Sequence, residues 1–138
     1  MNTPITETDE PPRVVLLVYD DPDFLFQQRV RIEGAGYRVI SAENEKAALD
    51  MIASETFDLA IVDLMMENID AGFTLCHYIK KVRPHTPVLL VTAVNNITEL
   101  DFDTTTEEER SWIKADAMLE KPIRFEQLKL EMDRLLRG

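Results

Sequence analysis

The sequence predicts an α/β fold: a five-stranded parallel sheet with helices on both faces. Three observations predict it. Short apolar runs rich in branched residues recur along the chain, an amphipathic segment follows each, and 138 residues suit one domain rather than two.

The runs are Val14–Val18, Tyr37–Ile40, Leu59–Val62 and Val88–Val91, with a brief fifth around Ala117–Leu119. Their length and flanking turn residues favour buried strands over helices. A first helix is expected over Asp23–Glu33, stopped by Gly34-Ala35-Gly36 just before the second strand. Asn44 can cap a second helix, in which Ala47, Ala48, Met51 and Ile52 repeat at helical spacing. Phe73, Leu75, Cys76 and Ile79 mark a third, closed before Pro84. Thr106 to Glu109 forms a capping-box pattern that opens a short fourth helix carrying Trp112 and Ile113. The last helix runs from about Phe125 to Leu136, with Phe125, Leu128, Met132 and Leu135 on one face. Met1 to Pro12 reads as a polar tail ahead of a single domain over residues 13–138.

Composition narrows the function. A formal net charge of −11 argues against direct nucleic-acid binding, which needs Lys and Arg in excess to neutralise phosphates. No run approaches a membrane span, and the start lacks the basic-then-apolar plan of a signal peptide. The single cysteine, Cys76, excludes an internal disulfide and suits a reducing compartment, so a cytoplasmic location is expected.

In parallel sheets of this kind ligands bind beyond the carboxyl ends of the strands. Asp20 and Asp21 follow the first strand, Asp63 ends the third, Thr92-Ala93 ends the fourth and Lys121 follows the fifth. Clustered carboxylates repel one another unless a cation sits among them, and all-oxygen ligands suit Mg²⁺. A hydroxyl and an ammonium beside such an ion make an oxyanion pocket for a phosphoryl group, which a carboxylate could accept as nucleophile. Taken singly, each residue also has an ordinary reading. Asp20 and Asp63 can be solvated acids after a strand, Thr92 a β-branched strand residue and Lys121 a surface lysine.

Five motifs in order carry a family resemblance: the acids of VYDDPDF, the strand LAIVD ending in Asp63, the loop MMENIDAG, VLLVTA with Thr92, and LEKP with Lys121-Pro122. The chain resembles the receiver domain of two-component response regulators over roughly Val14 to Leu136. The resemblance implies a doubly wound, flavodoxin-like sheet of order 2-1-3-4-5 with five helices. It implies phosphorylation of Asp63 by a histidine kinase or phosphotransfer protein, and slow self-dephosphorylation. By similarity Asp20, Asp63 and the backbone carbonyl of Met65 would hold Mg²⁺, while Thr92 and Lys121 would bind phosphoryl oxygens. A monomer or weak dimer without nucleic-acid or membrane partners is expected; the downstream partner is not named by the sequence. The final helix stops at Gly138, so either a separate protein receives the signal or this is one domain of a longer chain.

Four departures from the family pattern stand out. Counting back from Gly36, with DPDF as a second anchor, puts Asp20 at the directly ligating acid and Tyr19 at the other acidic position. Asp21 then faces away from the ion, and Asp21 and Asp23 read as turn and helix-start residues. The loop after Asp63 has Met66-Glu67 for the usual Met-Pro, and Asp70-Ala71-Gly72 is one residue longer than usual. Met118 stands at the aromatic switch position, where a flexible thioether cannot copy a rotamer-coupled ring. The link from Thr92 to Lys121 is long, with extra residues in NNITELDFDTTTEEE.

Tyr19 and Met118 motivate an alternative, a pseudo-receiver that binds proteins without phosphorylation. A phosphatase or nucleotide-binding enzyme on a similar fold is disfavoured. The YDDPDF turn has no Gly-rich phosphate cradle, and no acid lies two residues beyond Asp63. Cys76 reads as core, and His77 and His85 as surface residues without metal-ligand spacing. Trp112 is either a partner anchor or packing for its own helix.

Overall fold

In the computed structural model, residues 12–63, 69–92, 116–121 and 123–137 are described. The strands are Val14–Val18 (β1), Arg38–Ala42 (β2), Leu59–Asp63 (β3), Val88–Thr92 (β4) and Ala117–Glu120 (β5). They pair in parallel in the order β2-β1-β3-β4-β5. β3 and β4 are buried along their whole length, which is why they read as unbroken apolar runs rather than alternating ones.

Alternation along the strands divides the core in two. Leu16, Val18, Ala60, Val62, Val88 and Leu90 face one side. There they meet Ala48 and Ile52 of the helix Glu45–Ser54 (α2) and Leu75, Cys76 and Ile79 of Ile69–Val82 (α3). Val15, Leu17, Tyr19, Leu59, Ile61, Leu89 and Val91 face the other side. Their partners are Leu25 and Ile32 of Pro22–Gly34 (α1) and Leu128 and Met132 of Phe125–Arg137 (α4). The sheet is therefore doubly wound, as expected.

Helix starts follow their caps. Asp21 Oδ1 accepts from the N–H groups of Asp23 (3.0 Å) and Phe24 (3.4 Å), and Pro22 opens α1 where a missing N–H costs nothing. Asn44 Oδ1 accepts from Ala47 N–H at 2.8 Å to open α2. At the end of α1 the chain turns through Gly36, whose φ of 101° is open to glycine and strained for other residues. At the opposite edge of the sheet, Asp58 Oδ2 accepts from Val14 N–H at 2.8 Å. Asp116 Oδ2 likewise takes the Val88 N–H and the Lys80 ammonium, both at 2.7 Å.

Two expectations shift. β2 starts at Arg38 rather than Tyr37 and runs on to Ala42, because its register with β1 pairs Val18 with Ala42. Tyr37 instead hydrogen-bonds Asp133 of α4 at 2.8 Å through its hydroxyl. Among the described residues there are four helices; the expected helix at Trp112, the long link after Thr92 and the tail up to Pro11 lie outside them.

Candidate functional site

The parallel register brings four strand ends to one edge. Asp63 is the last residue of β3 and pairs with Val91; Thr92 closes β4 opposite Glu120 of β5. Lys121 follows, and its backbone N–H donates to the Thr92 carbonyl at 2.7 Å. The side chain then reaches back across the sheet, placing Nζ 3.0 Å from Asp63 Oδ2. Asp63 is 2% exposed and Thr92 fully buried, whereas Asp20 is open to solvent. Asp20, Asp21, Phe24, Asp63 and Lys121 line a cleft of about 370 Å³.

A buried carboxylate at the mouth of a cleft, with an ammonium 3.0 Å from one oxygen, has its charge partly balanced and is of a kind that can act as a nucleophile. Partial desolvation raises the pKa of the Asp20 carboxyl, and the charge of Asp63 raises it further. The hard oxygens of Asp20 and Asp63, brought to one cleft, suit a hard divalent cation that keeps several waters. The donor set therefore fits Mg²⁺. Among the described residues no cluster of three or more acidic, His or Cys side chains forms.

The expected residues Asp20, Asp63, Thr92 and Lys121 are thus brought together. Asp21 turns to cap α1, as its place beyond the register predicted, though it also borders the cleft. Met65 and Pro122 lie outside the described residues. Met118 is half-buried and packs on the α2–α3 side of the sheet. Cys76 is buried, with its thiol pushed up to about 12 mainly by that burial, and His77 and His85 are exposed.

Tyr19 departs from an acid in more than charge. Its side chain is fully buried in the core under α1 and α4, and its hydroxyl has no hydrogen-bond partner among the described residues. Burial, helped by the negative charge of Asp63, drives the phenol's pKa upward, so it stays neutral. Its ring meets Phe24 edge to face with centroids 5.0 Å apart. Sequence reasoning did not single out Phe24. An aromatic in the first turn of an amphipathic helix looks like ordinary core, and only its place directly after the PD of DPDF could have drawn notice.

Comparison with known proteins agrees with this architecture. Residues 15–133 match the family described as response regulator receiver domain. The chain belongs to the receiver domains of response regulators. Among curated relatives, the transcriptional regulatory protein GlrR of Escherichia coli K12 is 40% identical over 86 residues, which cover 62% of this chain and 19% of GlrR. Response regulator MprA of Mycolicibacterium vanbaalenii is 32% identical over 127 residues, covering 89% of this chain and 50% of MprA. The chain therefore spans from about a fifth to half of these relatives' lengths. Among solved structures, response regulator TrrA of Thermotoga maritima, in complex with Mg²⁺-BeF, is similar at 27% identity and a TM-score of 0.75. The match covers 90% of this chain and 99% of TrrA. A putative response regulator from Chloroflexus aurantiacus gives 26% identity and a TM-score of 0.77, over 92% of this chain and 99% of that one.

Proposed function

We propose that this receiver domain, residues 13–138, accepts a phosphoryl group on Asp63 from the phosphohistidine of a histidine kinase or phosphotransfer protein. The observation that carries the reading is the buried Asp63 held 3.0 Å from the Lys121 ammonium, with Lys121 hung on Thr92 by its backbone. In the transfer an Asp63 oxygen bonds to phosphorus as the P–N bond of the donor breaks, and the imidazole leaves with the electron pair. Lys121 balances charge gathering on the phosphoryl oxygens, and Thr92 stands at the adjoining strand end to donate its hydroxyl. Asp20, Asp63 and the Met65 carbonyl would hold Mg²⁺, which when bound supplies further neutralisation of that charge. TrrA in complex with Mg²⁺-BeF supports the assignment by similarity. Phosphorylation then biases a two-state equilibrium that alters a partner surface in the cytoplasm. Among the described residues no helix is long and apolar enough to cross a membrane.

The fully buried Tyr19 at an acidic position favours one other reading, a pseudo-receiver that binds partners without phosphorylation. Incubation with Mg²⁺ and phosphoramidate separates the two. A gain of one phosphoryl group in intact mass, absent in Asp63→Asn, is expected. No gain, with no spectral response to Mg²⁺ and beryllofluoride, would leave the pseudo-receiver.

A further inference from the structure

The Lys121 ammonium touches more than a carboxylate. Its Nζ lies 3.0 Å from Asp63 Oδ2, 5.2 Å from the centroid of the Phe24 ring and 6.0 Å from that of Tyr19. The two rings meet at an interplanar angle of 68°, so they form a corner rather than a stack. An ammonium on a flexible four-carbon stem has many rotamers open to it, and a single carboxylate oxygen restrains it weakly. Aromatic faces within about 6 Å attract a cation through the ring quadrupole. Both rings are themselves anchored. Tyr19 is fully buried and its backbone N–H donates to the Ala42 carbonyl at 3.2 Å, while Phe24 sits in the turn capped by Asp21.

We infer that Tyr19 and Phe24 are positioning residues, whose rings hold the Lys121 ammonium on Asp63 for phosphoryl transfer. This gives position 19 a physical reason to be aromatic. A second carboxylate there would compete with Asp63 for the ammonium, whereas a ring attracts the ammonium without adding a charge that draws it off Asp63. Among the described residues the hydroxyl has no hydrogen-bond partner, and it is the ring that faces the ammonium. The consequence for transfer rests on the phosphoacceptor reading of Asp63, but the position of Lys121 can be read without it.

NMR of the full chain tests the placement. Wild type should show nuclear Overhauser contacts between the Lys121 ε-methylene and the Phe24 ring, with the methylene displaced upfield by ring current. Phe24→Leu should lose that displacement while amide resonances of β1 and β3 stay in place, and Phe24→Tyr should restore it. Tyr19→Phe should keep it and Tyr19→Leu reduce it. Absence of the contacts in wild type, or an unmoved Lys121 in Phe24→Leu, overturns the inference. With phosphoramidate, Phe24→Leu should slow phosphorylation of Asp63 by roughly threefold to tenfold, the rate equivalent of one cation–π contact, and Phe24→Tyr should recover it. A wild-type rate in Phe24→Leu overturns the role in transfer. If wild type takes no phosphoryl group while the NMR signature holds, the phosphoacceptor reading fails and the aromatic corner stands.

Discussion

Tyr19 illustrates how one residue can alter a site without lining it. Its hydroxyl is buried with no partner among the described residues, so Tyr19→Phe should stabilise the protein by about 1 kcal/mol, measured by urea unfolding. Tyr19→Asp adds a carboxylate to the Asp20–Asp63 pair and should bind Mg²⁺ more tightly in calorimetry; equal affinity would refute the charge account of position 19. Asp20 supplies a pH test. Its carboxyl is easier to protonate in the folded chain, through desolvation and then the charge of Asp63. A raised folded value contributes stability that is present below the unfolded value, about 4, and is lost as pH rises through the folded one. Metal-free Asp20→Asn should therefore melt above wild type at neutral pH, with the advantage shrinking in acid and offset by saturating Mg²⁺. An advantage of constant size at every pH would contradict this. Asp20, Asp63, Thr92 and Lys121 were legible because strand ends and motif order place them. The Phe24–Lys121 contact was not, since it joins residues from opposite ends of the chain through side-chain rotamers that no spacing encodes.

The first helix links the fold to the cleft. Its cap, its aromatic Phe24 and the Arg29 guanidinium all act on neighbours, the last by donating to Ser41 Oγ at 3.1 Å and the Val39 carbonyl at 3.3 Å. Asp21 both caps this helix and borders the cleft, and substitution separates the roles. Asp21→Ala should cost about 1 kcal/mol in urea unfolding, with Asp21→Asn near wild type because Asn caps equally well. Mg²⁺ affinity should stay close to wild type in Asp21→Asn; a large loss would make Asp21 a ligand. Element types and most boundaries could be read from run length and caps, as at Asn44 and Pro22. The second strand is where it was expected but its ends shift: Tyr37 has high strand propensity, yet its hydroxyl is committed to Asp133 of α4. Tertiary pairing, which carries β2 on to Ala42, decides such ends.

At the scale of the molecule, acids do opposite work at the two edges of the sheet. Asp58 and Asp116 are satisfied by backbone N–H groups where strands begin, whereas Asp20 and Asp63 gather where strands end. With a net charge of −11, self-repulsion should make Tm rise as NaCl is raised from low salt, and a flat or falling Tm would show that local pairing outweighs it. The strand order followed from the family motifs, but the shape of the cleft depends on side chains that cross between strands. The decisive crossing is the Lys121 side chain on Asp63, and its root is fixed by the backbone bond from Lys121 N–H to the Thr92 carbonyl. That bond makes β4 and the root of Lys121 a single lever with its tip on Asp63. A shift of the Thr92 end relative to its partner β3 would change how far the ammonium can reach toward Asp63. The occupancy of a charge pair thereby becomes a gauge of how two neighbouring strands are aligned.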